Sequence, residues 1–163
     1  MERQSDTQGI GQVAIIGGGP AGLMAAEVLC ARGVQVDLYD AMPSLGRKFL
    51  MAGKSGLNLT HAEAFDQFVL RFGTSQKNLL PSLEAFTPDD IRKWADRFDV
   101  ETFVGTSGRV FPKGMKAAPL LRAWLRQLRA QGLHVHVRHK WTGWSAEGAL
   151  IFETPAGVVQ TKP

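Results

Sequence analysis

Cysteine is almost absent from this sequence. Cys30 stands alone among 163 residues, which excludes an internal disulfide and a cysteine-built metal site. Tyrosine is as scarce, with Tyr39 the single example. No apolar run approaches the ~18 residues that a membrane-crossing helix needs, and the largely polar first twelve residues carry no hydrophobic core of an export signal. The expectation is a reducing, cytoplasmic setting with no membrane partner. Repeats and low-complexity tracts are also missing. Acid becomes rare late in the chain: residues 105–163 hold 9 Lys and Arg against 2 Asp and Glu, whereas residues 1–104 hold 10 against 13. Such a basic stretch suits nucleic acid, or it neutralises a bound pyrophosphate. The lack of an aromatic-rich RNA-binding signature makes nucleic acid the less favoured partner.

What is present has the make-up of an ordinary globular chain, 44% hydrophobic and 21% charged, of a length that suits one domain. Its organising stretch is Val13-Ala-Ile-Ile-Gly17-Gly-Gly19-Pro20-Ala21-Gly22. Four apolar residues run into Gly-x-Gly-x-x-Gly, and an apolar segment with helical spacing follows from Leu23 to Cys30. A strand, a glycine turn and a helix form the unit that binds dinucleotide pyrophosphate. Gly17 serves the tight turn, Gly19 the close approach of backbone to phosphate, and Gly22 the packing of helix on strand. Pro20 suits the helix entry because it has no N–H to leave unpaired. Gly33 then stops the helix, and Val34 to Tyr39 alternates like a strand that ends at Asp40, 18 residues past Gly22. An acid near that distance meets adenosine ribose hydroxyls in such a fold; the plainer alternative is an ordinary turn with Asp40 capping the strand end.

Further along, Pro43 and Gly46 break regular structure and leave Arg47 and Lys48 on a loop, placed to meet phosphate or simply solvated. Gly53-Lys-Ser55-Gly-Leu-Asn58-Leu59-Thr60 offers backbone donors and an amide, a cradle for an anion or a polar ring, without the spacing of a nucleotide-hydrolysing P-loop. Thr60-His-Ala-Glu63 has the capping-box pattern and opens a helix with Phe65, Phe68, Val69 and Phe72 on one side and Gly73 at its end. Pro81 to Phe86 suggests a short turn of helix. Thr87-Pro-Asp-Asp caps another, with Ile91, Trp94 and Phe98 inward. Short strands follow at Val100–Val104 and Arg109–Phe111, then a helix from Leu120 to Ala130 that buries Leu120, Leu121, Trp124, Leu125 and Leu128 and exposes Arg122, Arg126 and Arg129. Leu133, Val135 and Val137 alternate with His134, His136 and Arg138, a half-buried strand and not a metal site. Strands at Trp141–Trp144, Ala149–Thr154 and Val158–Thr161 complete a meander. His61 reads as a surface residue, and Asp89 and Asp90 as caps rather than a catalytic pair. No catalytic acid or base stands out.

The glycine motif, Asp40, Gly46-Arg47-Lys48, the Gly53 to Thr60 stretch and Ser107-Gly-Arg-Val-Phe-Pro112 together resemble a bacterial flavoprotein family, the YhiN/BaiN-like or aminoacetone-oxidase-like group of the glutathione-reductase-type superfamily. The resemblance spans residues 12–145. It implies an α/β fold: a Rossmann-like FAD-binding domain with a βαβ start and central parallel sheet, a helical and short-strand insertion, and a β-meander. In its terms residues 1–10 are a polar arm, 11–48 and 116–163 the FAD-binding portion, and 49–115 an insertion on the flavin side.

The resemblance further implies an FAD-dependent oxidoreductase that takes electrons from NAD(P)H and acts on a small-molecule substrate. Gly17, Gly19, Pro20, Ala21 and Gly22 would line the pyrophosphate, Asp40 the ribose, and Arg47 and Lys48 the phosphates. Ser55, Asn58, Leu59 and Thr60 would line the flavin side, and the strand near Trp141 would offer backbone to adenine. Many members have glutamate at the position of Asp40 and read GGGRCN where this chain has Lys54-Ser-Gly-Leu-Asn58, so any role of that Arg-Cys pair does not transfer. Members run to about 400 residues, more than a single domain usually holds, so the chain resembles an N-terminal portion. On its own it is expected to retain FAD weakly or not at all and to lack activity. Two other readings stay open: an NAD-dependent dehydrogenase domain, which leaves Gly46 to Thr60 unexplained, and an FAD protein that acts on or binds RNA.

Overall fold

The computed structural model describes residues 11–52 and 55–162; the polar arm, Gly53 and Lys54 lie outside them. In chain order the elements are β1 (Val13–Ile16), α1 (Pro20–Cys30), β2 (Val36–Asp40), α2 (Arg47–Ala52), β3 (Thr60–His61), α3 (Phe65–Leu70), a 3-10 turn (Gly73–Ser75), α4 (Gln76–Ala85) and α5 (Pro88–Asp96). They continue as β4 (Thr102–Val104), β5 (Arg109–Pro112), α6 (Ala117–Ala130), β6 (Leu133–Val137), β7 (Lys140–Trp144), β8 (Leu150–Thr154) and β9 (Gly157–Thr161). These residues fall into two compact units, one running up to Arg47 and resuming at Leu125, the other Lys48–Trp124.

The first unit is built on a parallel sheet of order β1-β2-β6, with Val13 opposite Val36 and Val36 opposite Leu133. Parallel neighbours need a crossover, and α1 supplies it between β1 and β2. Leu23, Ala26, Glu27 and Cys30 recur on one face of α1 and are buried. Gly33, at φ +75°, takes the left-handed conformation that ends a helix. On β2, side chains alternate: Val36, Leu38 and Asp40 share one face, Asp37 and Tyr39 the other. The antiparallel meander β7-β8-β9 brings Phe152 against Tyr39, whose ring is stacked between Phe152 (4.3 Å between centroids) and His136 (4.5 Å). Leu150 and Phe152 are fully buried there.

In the second unit, β3, β5 and β4 form a small antiparallel sheet, with Thr60 opposite Val110 and Thr102 opposite Pro112. Its core is aromatic: Trp94 meets Phe98 edge-on at 5.3 Å and Trp124 at 4.8 Å. Thr87 caps α5, accepting from the Asp90 amide while the Asp90 carboxylate accepts from the Thr87 amide.

Four local expectations need correction. Arg47 and Lys48 stand in the first turn of α2, not on a loop. Thr60 is not a helix cap: it is a buried strand residue, and α3 starts after Ala64 with no side-chain cap. Glu63 pairs instead with Arg71, whose Nη2 donates to Oε2 at 2.9 Å and whose Nε donates to Oε1. α3 stops at Leu70, and Gly73, at φ +52°, opens a 3-10 turn that leads directly into α4, so Pro81 lies inside a helix and does not start one. Among the described residues no helix is long and apolar enough to cross a membrane, and no group of His, Cys, Asp and Glu could hold a metal ion.

Candidate nucleotide-binding site

The turn between β1 and α1 gets its shape from backbone that has no side chains to obstruct it. Gly17 sits at φ +103°, a region closed to most L residues. Gly22 lies so close beneath it that a methyl group on its Cα would run into the Gly17 carbonyl oxygen and come within 3.3 Å of Ile15 Cγ2. Gly19 is the N-cap of α1, with extended φ −80° and ψ −179°, and having no side chain it leaves the helix start uncapped. Pro20 follows at the first helical position, where its missing N–H costs nothing. An uncapped helix start gathers unpaired amides and the positive end of the helix dipole, the arrangement that receives phosphate. Gly17, Gly19, Pro20, Ala21 and Gly22 are therefore brought together at one point.

Asp40 reaches this turn from the end of β2. Its Oδ2 accepts from the Gly18 amide at 2.7 Å, and its Oδ1 accepts from the Met42 amide at 2.7 Å. Gly46 donates to the Gly18 carbonyl at 2.8 Å, and Gly17 donates to the Tyr39 carbonyl at 2.8 Å. Arg47, exposed, follows Gly46 directly. Trp141 stands on β7, exposed, with its ring edge-on to Trp144 at 6.1 Å.

In the second unit Leu59 and Thr60 run beside β5, and Ser55 and Asn58 precede them outside any regular element. The Leu57 amide donates to the Met115 carbonyl (3.0 Å), Leu59 to Val110 (2.9 Å) and Ala62 to Gly108 (2.8 Å). With its nitrogen turned inward, the Asn58 amide donates to the carbonyls of Thr60 (2.8 Å) and Val110 (3.3 Å). Thr60 Oγ1 is buried and has no hydrogen-bond partner. A buried hydroxyl without a partner is rare in a finished structure and marks a place where a polar group is due. His61 is not such a group. Its Nδ1 lies 3.3 Å from the Glu63 amide and its Nε2 3.0 Å from the Ser107 carbonyl, so both ring nitrogens are already engaged within the chain. Lys48, exposed, opens this unit.

The profile described as HI0933-like protein Rossmann domain matches residues 11–161. The chain belongs to that family. The match agrees with the resemblance read from the motifs, and the parallel sheet with its flanking helices is the expected Rossmann-like architecture. The HI0933-like domain is also 54% identical over 35 residues to UacF of Escherichia coli (strain K12), whose name describes an oxidoreductase; that stretch is 22% of this chain and 6% of UacF. Among solved structures it is similar to the 3-ketosteroid-Δ4-(5α)-dehydrogenase of Rhodococcus jostii RHA1, with TM-score 0.62, 11% identity, and 96% of this chain covering 45% of that one. It is also similar to a flavocytochrome c3 fumarate reductase, with TM-score 0.56, 14% identity, and 91% of this chain covering 31% of that one. The chain thus spans less than half the length of each of these relatives.

The motif reading missed Gly18, which carries the link to Asp40, and Gly46, which holds Gly18 from the other side. It also missed the buried acid Asp37, whose Oδ1 lies 2.6 Å from His136 Nε2 and whose Oδ2 accepts from Gln12. A signal was available: an acid inside an otherwise apolar strand requires a partner, and the histidines of the Leu133–Val137 stretch alternate with the same period.

Proposed function

We propose that this chain is the FAD-binding part of a flavin-dependent oxidoreductase acting, in the cytoplasm, on a small-molecule substrate with NAD(P)H as electron donor. The carrying observation is the Gly17–Gly22 turn, closed onto α1 by the contact of Gly22 with the Gly17 carbonyl and tied by Gly18 to the acid that ends β2. That combination presents phosphate donors and a ribose acceptor on consecutive elements, as a dinucleotide demands. Gly17, Gly19, Ala21 and Gly22 serve the pyrophosphate, Asp40 the ribose, and the cations Arg47 and Lys48 the phosphate charge. The strand bearing Trp141 is assigned to adenine. Ser55, Asn58, Leu59 and Thr60 are assigned to the flavin side, where the buried, unpartnered Thr60 hydroxyl fits a polar group of the ligand. Bound FAD supplies the hydride or electron transfer, and the chain supplies position and electrostatics. The oxidoreductase and flavocytochrome names among its relatives support the redox part of the reading.

Equilibrium titration of the chain with FAD, followed by flavin fluorescence, tests this. The expected result is weak, high-micromolar-type binding that still saturates, that ADP competes away and that FMN, which lacks the adenosine half, does not. Gly22→Ala, which forces a methyl into the Gly17 carbonyl, abolishes it. Tighter binding of NAD than of FAD, or equal competition by FMN, would overturn the assignment.

A further inference from the structure

We infer that Asp40 is a positioning residue for the pyrophosphate site, fixing the orientation of the Gly17–Gly18 peptide, in addition to the ribose contact assigned to it. The inference rests on the nucleotide-binding reading above and extends it to a coupling between two subsites. A trans peptide is planar, with its N–H and its C=O pointing opposite ways. In the Gly17–Gly18 peptide both ends are held. The N–H donates to Asp40 Oδ2 at 2.7 Å, and the C=O lies against the Cα of Gly22 in the first turn of α1. Asp40 is itself braced: Oδ1 accepts from the Met42 amide at 2.7 Å, and its main-chain carbonyl accepts from the His139 amide at 2.9 Å.

Both residues of the held peptide are glycines, so no Cβ of their own resists its rotation, and the bond to Asp40 and the contact with Gly22 choose its direction. The bond to Asp40 joins an amide to a carboxylate, which makes it one of the stronger kind. Gly18 is buried, so once the carboxylate is removed its N–H has no partner in place and the peptide turns to find one. That rotation displaces the Gly17 carbonyl from Gly22 and shifts Gly19, the residue that opens α1, together with the amides of the helix start. Asp40 thus orders the phosphate donors before any ligand arrives, and preorganisation of this kind appears directly as affinity.

The test uses the full 163-residue chain with two probes, ADP and inorganic pyrophosphate, titrated calorimetrically into wild type, Asp40→Ala, Asp40→Asn and Asp37→Asn. Asp40→Ala should weaken both probes by at least about tenfold, although pyrophosphate has no ribose. Asp40→Asn keeps the side-chain volume and one neutral acceptor for Gly18, and should weaken pyrophosphate by roughly three- to tenfold. Asp37→Asn, an acid lost from the other face of β2, should leave pyrophosphate affinity within about twofold, since it touches nothing in the turn. Without ligand, the Gly18 amide should exchange with solvent at least about tenfold faster in Asp40→Ala, and measurably faster in Asp40→Asn.

Loss of ADP affinity with pyrophosphate binding unchanged, in either Asp40 variant, overturns the coupling and leaves only a ribose contact. Unchanged Gly18 exchange overturns it as well, and so does an equal loss in Asp37→Asn. The exchange measurement needs no ligand. If wild type binds neither probe, the nucleotide reading fails by itself, and the hold of Asp40 on the turn is still judged by exchange.

Discussion

Thr60 shows how far a residue's surroundings can depart from its local motif. Followed by Ala62 and Glu63 it has the spacing of a cap, yet it lies on β3 opposite Val110 with Oγ1 buried and unpartnered. The competing interaction is a strand about fifty residues away, which a four-residue pattern cannot register. Replacing Thr60 by Val removes a stranded hydroxyl at nearly constant volume, so the ligand-free chain should gain about 1 kcal/mol in thermal or urea unfolding. The same change should weaken FAD severalfold if that hydroxyl meets the flavin; weaker unfolding resistance in Thr60→Val would mean the oxygen has a partner after all. Asp37 is the opposite case, a buried acid that is fully served. Burial pushes its pKa up, but hydrogen bonds from Gln12 and His136 and the nearby charges of His136 and His134 outweigh this and leave it below the usual 3.8. A depressed folded-state pKa contributes stability above the unfolded value and loses it as pH falls through the folded one. Asp37→Asn should therefore flatten the acid limb of the stability profile below pH ~4, read by unfolding midpoints at stepped pH, while lowering stability at neutral pH.

Among elements, those with a regular period and a local stop signal were readable from sequence, and those set by distant contacts were not. The β1-turn-α1-β2 unit, the buried stripe of α6, the β4–β5 pair and the three-stranded meander all follow from alternation, helical spacing and glycine or proline punctuation. α2 was missed because Gly46 reads as a breaker, although at φ +66° it only turns the chain before Arg47 starts a helix. α4 was half seen: Pro81 suits a first helical turn but here sits inside one that starts at Gln76. Of the candidate site, the glycine turn and Asp40 were legible by spacing, whereas their junction at Gly18 was not, because any x position of the motif could have served. α5 gives the clean test of a cap, since Thr87 and Asp90 satisfy each other's amides and the hydrogen bonds from Thr87 hold the Asp90 carboxyl down at about 2. Thr87→Ala should cost about 1 kcal/mol in urea unfolding. Because the folded acid sits below its unfolded value, the cost should be full at pH 7, still mostly present at pH 4, and shrink as pH falls on towards 2. A cost that vanishes by pH 4 would place the effect elsewhere.

For the chain as a whole, large apolar groups are exposed in both units, and in the first they include a group on the meander and Ile16 at the end of β1. The order β1-β2-β6 leaves β1 paired on one side only among the described residues, with Ile16 exposed at its end. On the meander, Trp144 is 60% and Val158 68% exposed, with Trp141 and Val159 beside them also exposed. Large apolar groups gathered on strands with open edges favour association, because a second surface removes them from water and meets the unpaired backbone as well. The cationic face of α6 does not oppose this, since Arg126 and Arg129 lie on another element. The chain in solution should therefore self-associate with rising concentration, visible as a growing sedimentation coefficient. Trp144→Lys combined with Val158→Lys places a charge on each outer strand of the meander, one on either face, and should return the chain to monomer. Both side chains are mostly solvated, so unfolding stability measured on the monomer should change by no more than about 0.5 kcal/mol per site. Association that persists in the double variant would move the contact to the open edge of β1, where Ile16→Lys is then the variant that must disperse it.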